Sequence, residues 1–267
     1  VFNIARLRPE RISELLAQNI RVIADVPDDF KLSENQRRQV TIAKNRRIEI
    51  DKKALLKEQK QWQAPFYFLD YESINLVFPP HSGMKPYDQK VFQYSLHKLK
   101  SINDPQPEHF EYIADTLTES PALLVADLVK NLENDGGTVF VWNASFEKTR
   151  NKEMGLWYPE FAALLEGINT RIYDLETPFR AGMYAHPDFK GRSSIKKVLP
   201  VLVPQLNYND LVIQNGGMAF STWHKLVTDT KLNTEKRTQI RTDLLEYCKL
   251  DTWAMVCIWL KINEILQ

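Results

Sequence analysis

Two cysteines, nine glycines and no long apolar run set the first limits on this 267-residue chain. No stretch approaches the roughly 18 consecutive apolar residues that a membrane-spanning helix requires, and the N-terminus carries no apolar signal-like segment. Cys248 and Cys257 fall on one predicted helix, where nine residues of rise separate them by about 13 Å, too far for a disulfide. A reducing, cytoplasmic setting follows as the expectation. The histidines at 81, 97, 109, 186 and 224 are scattered, so no Cys/His set has zinc spacing. Internal repeats and low-complexity tracts are also missing. The net charge of +1 gives the whole chain no strong basic footprint. With 43% apolar residues, what remains is an ordinary globular chain with enough material for a core. It opens on Val1 rather than Met, which reads as a piece of a longer protein.

Positive charge gathers in residues 1–60, leaving the remainder net negative. Arg37–Arg38, Arg46–Arg47 and Lys52–Lys53 would suit a phosphate backbone or form solvated helix faces. This segment has no glycine and little β-branched alternation. Pro9 ahead of Ile12, Leu15 and Leu16 opens a short amphipathic helix. Ser33 and Gln36 have capping-box spacing, and a third helix is predicted from Asp51 to Gln61. Residues 1–61 thus read as a small helical module for linking or docking, and 62–267 as a separate α/β domain.

The pattern changes at Pro65. Phe66–Leu69 and Val91–His97 read as strands, His109–Ile113 as a third, and Thr138–Trp142 and Arg171–Leu175 as the fourth and fifth. Helices are predicted over 121–133, over Ser145–Gly155, and from Asn233 to the end. Three strands followed by helix–strand–helix–strand and terminal helices imply a mixed five-stranded sheet flanked by helices. That order resembles an RNase H-like sheet.

Three polar motifs lie on these elements. Asp70 and Glu72 sit two apart on the first strand, so both carboxylates point to one face. Two anions so close repel unless a cation lies between them, and a hard oxygen set suits Mg²⁺ or Mn²⁺. Asn143-Ala144-Ser145-Phe146-Glu147 follows the fourth strand, placing Glu147 in a first helical turn, with Asn143 or Ser145 as a cap. Tyr247 and Asp251 lie one turn apart on the terminal helix, on the face that carries Leu244 and Ala254. An inward carboxylate there needs a partner.

Taken in order, Asp-x-Glu, Asn-x-x-Phe-acid and Tyr-x₃-Asp resemble the DEDD (DnaQ-like) 3′–5′ exonucleases of the RNase H-like superfamily, over residues 65 to 260. Glu246 stands where another subclass has histidine and Tyr247 fits the tyrosine version, DEDDy. Phe92–His97, Asn143–Lys148, Ser194–Pro200 and Tyr247–Thr252 resemble more closely one bacterial family labelled a domain of unknown function. Its members often follow a RecB-like nuclease segment, which would be the upstream partner.

The DEDD resemblance implies two divalent cations, Mg²⁺ or Mn²⁺, held by Asp70, Glu72, Glu147 and Asp251, with Tyr247 orienting the attacking water. It implies Ser73 and Asn143 at the terminal nucleotide of a single-stranded 3′ end, of DNA or RNA, and mononucleotide products. Tyr71 and Phe146 would stack on a base or belong to the core. Lys196 and Lys197, at a helix start after Gly191, are phosphate contacts or an exposed basic pair. Glu147 departs from the pattern, which has Asp there. The longer side chain reaches the ion through a shifted helix or leaves the second ion poorly held, and Asp174 is then the substitute ligand. Two other readings compete: a nucleic-acid- or protein-binding module with a decayed site, and a metal-dependent endonuclease.

Overall fold

The structure is a computed structural model describing residues 1–81, 83–104 and 106–267. In chain order it contains α1 (Pro9–Ala17), α2 (Glu34–Asn45), β1 (Glu49–Ile50), α3 (Lys52–Gln59), β2 (Phe66–Asn75), β3 (Gln89–Leu99) and β4 (Glu108–Ile113). Then follow α4 (Pro121–Asn131), β5 (Val139–Val141), α5 (Ser145–Trp157), α6 (Ala162–Arg171), β6 (Ile172–Asp174), α7 (Thr177–Arg180) and β7 (Tyr184–Ala185). The last three are α8 (Ile195–Leu202), α9 (Gly216–Thr228) and α10 (Thr234–Leu266).

The chain divides into two compact units. The first holds residues 1–60, 176–205 and 266–267, so the N-terminal helices do not stand alone as the sequence suggests. Residues 176–205 join them because β1 pairs antiparallel with β7, and the Asp51 N–H donates to the Met183 carbonyl at 2.8 Å. This contribution brings an aromatic trio of Phe179, Tyr184 and Phe189, with centroids 5.8–5.9 Å apart. Nothing in the local periodicity of 1–61 announces a partner strand more than a hundred residues away. The Ser33–Gln36 capping box is formed in both directions, and Leu15, Val26 and Val40 make the small core. Much of the basic character of α2 is spent internally. Arg37 donates to the carbonyls of Pro27 and Phe30, Arg38 to Glu49, and Lys44 to Asp28.

The second unit, residues 61–175 and 206–265, carries the mixed five-stranded sheet in the order β4-β3-β2-β5-β6. β2–β3 and β3–β4 pair antiparallel, while β2–β5 and β5–β6 run parallel. Strand periodicity divides β2 cleanly. Tyr67, Leu69 and Tyr71 face a core completed by Leu124, Val125 and Leu128 of α4, Met154 of α5 and Leu165 of α6. Phe66 and Phe68 face the other way, their rings 4.7 and 5.7 Å from Trp259 of α10. Asp70 and Glu72 continue that second face by the same period of two.

α10 lies over this face, its buried positions Leu244, Tyr247, Cys248, Asp251, Thr252, Met255, Ile258, Trp259 and Ile262 recurring at three and four residues. Beside the acidic end the contact is polar. The Gln93 side-chain amide donates to the Leu244 carbonyl at 2.8 Å, and Thr252 Oγ1 meets Ser95 Oγ at 2.7 Å and His97 Nδ1 at 2.8 Å. His97 and His109 face each other across β3 and β4 with ring centroids 4.4 Å apart.

Both imidazoles are held neutral. Burial, then the neighbouring His109 and Lys249, lowers His97 to about 3, and burial followed by Lys249 lowers His109 to about 4. A histidine whose folded pKa lies below its unfolded value contributes stability above the unfolded value, near 6.5, and loses it as pH falls. Between pH 6.5 and 5 each should therefore cost the fold about 2 kcal/mol. His97→Asn keeps a donor or acceptor for Thr252 but no titrating ring. Urea midpoints across that range should fall more steeply for wild type than for H97N, and parallel curves would refute the assignment.

Candidate metal centre

Asp70, Glu72 and Asp251 each present a carboxylate oxygen within 4.8 Å of the other two. The first two arrive by strand alternation and the third from α10, so the cluster forms where the helix crosses β2. Glu72 and Asp251 are each only 8% exposed, and Asp70 is partly buried. Between Glu72 and Ser73 the β2–β3 register shifts at a bulge, which interrupts the regular ladder just past the second acid. Ser73 turns to Gln89, donating its hydroxyl at 2.5 Å.

Electrostatics identify the cluster as a place of unfavourable charge. Burial, then the charges of Asp251, Glu72 and Glu147, hold Asp70 well above the usual carboxylate range. The Cys248 thiol, 3.5 Å from Asp70 Oδ2, acts in the opposite sense by donating to it. Burial and then the Asp251 charge push both Tyr247 and Tyr208 far above an ordinary phenol. Protonated tyrosines therefore surround ionisable acids that cannot all be ionised together.

Glu147 occupies the first turn of α5, 1% exposed, and its Oε2 has no hydrogen-bond partner among the described residues. Burial above all, with Asp174 adding to it, pushes it up to about 8. Its charge acts on Asp70, yet its oxygens lie outside the three-carboxylate group. Asp174 ends β6 and accepts the Asn143 N–H at 3.1 Å. Neither Asn143 nor Ser145 caps α5. Ala144 holds the cap position without a side-chain bond, Asn143 adopts φ 73°, and the Ser145 hydroxyl donates to Asn143 Oδ1. The left-handed turn displaces the cap that local sequence suggests, since asparagine tolerates that conformation better than most residues.

Tyr71 is core, donating to Asn151 Oδ1 at 2.9 Å, and Phe146 packs against the same core beneath Arg150. Lys196 and Lys197 lie in the first turn of α8 in the first unit. Tyr208 escaped sequence reading. Its hydroxyl donates to Asp251 Oδ1 at 2.5 Å from a position 43 residues earlier, and the surrounding Asn207-Tyr208-Asn209-Asp210 reads only as a polar turn. Cys248 and Gly216 escaped too. A β-carbon on Gly216 would sit 3.6 Å from Glu72 Oε2.

The donor set fits a hard divalent cation: three carboxylates converge from two elements, and a fourth carboxylate nearby has an unpartnered buried oxygen. Asp70, Glu72 and Asp251 would hold Mg²⁺ or Mn²⁺, with Glu147 the nearest further acid. Among the described residues no helix is long and apolar enough to cross a membrane.

Residues 67–194 match a family described as a domain of unknown function (DUF2779), in keeping with the resemblance to a bacterial family of that kind. The match takes in Asp70, Glu72 and Glu147 and stops before Tyr247 and Asp251. The uncharacterized protein UU173 of Ureaplasma parvum is 28% identical over 252 residues, covering 84% of this chain and 35% of that protein. The uncharacterized protein MG366 of Mycoplasma genitalium is 29% identical over 216 residues, covering 75% and 32%. Its Mycoplasma pneumoniae homologue is 26% identical over 230 residues, covering 78% and 33%. The chain thus spans about a third of the length of these relatives. No solved structure matches it.

Proposed function

We propose that the second unit is a metal-dependent 3′–5′ exonuclease of the DEDDy type, acting on a single-stranded 3′ end of DNA or RNA. The observation that carries this reading is the convergence of Asp70, Glu72 and Asp251 within 4.8 Å, with Tyr247 one turn before Asp251 on the same helix face. A divalent cation bound by these acids supplies an activated water and charge stabilisation for phosphodiester cleavage.

The chain's own groups divide the remaining work. Asp70, Glu72 and Asp251 hold their oxygens in place because strand and helix are both anchored in core. Glu147, held largely protonated at neutral pH by its burial, is the further acid whose ionisation Asp70 senses. Tyr247 keeps its proton, since burial and the adjacent acids oppose ionisation, and so serves as a hydrogen-bond donor that orients water rather than as a base. Ser73 and Asn143, each next to an acid or its helix, are the groups for the terminal nucleotide.

The test is release of mononucleotides from 3′-labelled single-stranded DNA and RNA, with Mn²⁺, with EDTA, and with Asp70→Ala protein. Metal-dependent release lost in D70A is expected, and the faster substrate names the sugar. Intact oligonucleotides that nevertheless bind would transfer the case to the binding-module reading. Cleavage of closed circles would transfer it to the endonuclease.

A further inference from the structure

We propose that Tyr208 is a positioning residue for Asp251, fixing how that carboxylate meets a metal ion; this rests on reading Asp70, Glu72 and Asp251 as a cation site. Tyr208 lies in the segment before α9, 7% exposed, and donates its single phenolic proton to Asp251 Oδ1 at 2.5 Å. The segment leads into α9 at Gly216, where an added β-carbon would lie 3.6 Å from Glu72 Oε2. The segment and the first residue of α9 thus lie beside two of the three clustered acids. Within it the Asn207 and Asn215 side chains accept the Asn209 and Met218 N–H groups, and the Leu211 N–H donates to the Tyr208 carbonyl at 3.2 Å.

The geometry has a chemical consequence. A carboxylate on a helix can rotate about its last bond, and each oxygen can meet an ion. With Oδ1 engaged by a short bond to the phenol, the rotation is stopped before any ion arrives. The ordering that binding would otherwise demand of Asp251 is already present in the metal-free protein. The phenol also places a positive dipole beside a buried carboxylate that faces two other acids. Tyr247, with its ring centroid 6.3 Å from that of Tyr208, stands on α10 itself, one turn before Asp251. Tyr208 then sets the ligand, and Tyr247 keeps the water-orienting part proposed for it above.

The test is Mn²⁺ binding by electron paramagnetic resonance, on the full chain, for wild type, Tyr208→Phe, Tyr247→Phe, Asp251→Asn and the Y208F/D251N double variant. Y208F should bind Mn²⁺ 10- to 100-fold more weakly, on the order of other losses of a bond to a metal ligand, and Y247F should bind as wild type does. In the D251N background, Y208F should change nothing further. Melting of the metal-free proteins separates packing from positioning. A lowered melting temperature in Y208F with unchanged Mn²⁺ affinity would overturn the inference and leave the metal reading standing. Wild type that takes up no Mn²⁺ would overturn the metal reading, and this inference with it.

Discussion

Asp251→Asn should abolish metal-dependent hydrolysis by about 10³-fold or more, and should raise the melting temperature of the protein in EDTA. The two effects share one cause. Asp70, Glu72 and Asp251 crowd their oxygens within 4.8 Å, and Asp251 is the largest charge effect on Asp70 after burial itself. Removing that charge relieves repulsion in the metal-free fold. The amide keeps an oxygen for the Tyr208 hydroxyl, so the hydrogen bond at Oδ1 survives.

Metal linkage gives the third sign. Wild type should gain about 2.7 kcal/mol of stability at Mn²⁺ a hundredfold above its Kd, and D251N should gain little at the same concentration. Proton release on Mn²⁺ binding should fall as well, because the ion displaces protons held in the raised cluster. Differential scanning calorimetry with and without Mn²⁺, isothermal titration in buffers of different ionisation enthalpy, and the nuclease assay together read all of this. A metal-free melting temperature that falls in D251N would show that the carboxylate is stabilising as it stands. Full activity in D251N would place the chemistry elsewhere.

Phe140→Ala should destabilise the sheet unit by about 3–5 kcal/mol, the range for deleting a buried aromatic ring. β5 is three residues long and lies between β2 and β6, so its side chains must hold what a short ladder does not. Phe140 is fully buried, stacked on Phe68 at 5.0 Å and edge-on to Trp62 at 5.3 Å, with Trp259 at 5.9 Å. Truncation leaves a cavity among large rings whose own strand and helix positions prevent collapse. Phe140→Leu, nearer in volume, should lose much less. Urea unfolding followed by tryptophan fluorescence, which Trp62 and Trp259 report from this cluster, reads the effect. A loss below about 1 kcal/mol for the alanine variant would show that the site relaxes, against the rigid-core account.

Most of the sheet was legible from short-range pattern. The apolar run at Phe66–Leu69, the alternation at Val91–His97 and the glycine break before Thr138 each mark a strand by a local rule, and β2, β3 and β5 lie there. Asp70 with Glu72, and Tyr247 with Asp251, were legible for the same reason: periods of two and four are properties of one element. Their convergence needs that α10 crosses β2, whereas the face of Leu244 and Ala254 implied only that Tyr247 and Asp251 point toward protein. What escaped depends on distance along the chain. Residues 176–205 attach to the N-terminal helices through a two-residue strand, too short to carry a period. Tyr208 reaches Asp251 from an irregular segment with no spacing rule. The Asn143 turn defeats the expected cap because its left-handed backbone, φ 73°, leaves Ala144 rather than Asn143 or Ser145 at the cap position.

α10 presents Trp259 to the aromatic cluster and Asp251 to the acidic one. Eight residues separate them, about two turns and 12 Å of rise. The rings thus act as an index mark for the carboxylate. A one-residue slip of the helix would advance Asp251 by 1.5 Å and rotate it by about 100°, out of reach of Asp70 and Glu72. Keeping that phase costs the chain an uninterrupted helical turn count between the two clusters. Length is therefore fixed between Asp251 and Trp259, where a single inserted or deleted residue would uncouple the aromatic core from the carboxylate it sets in place.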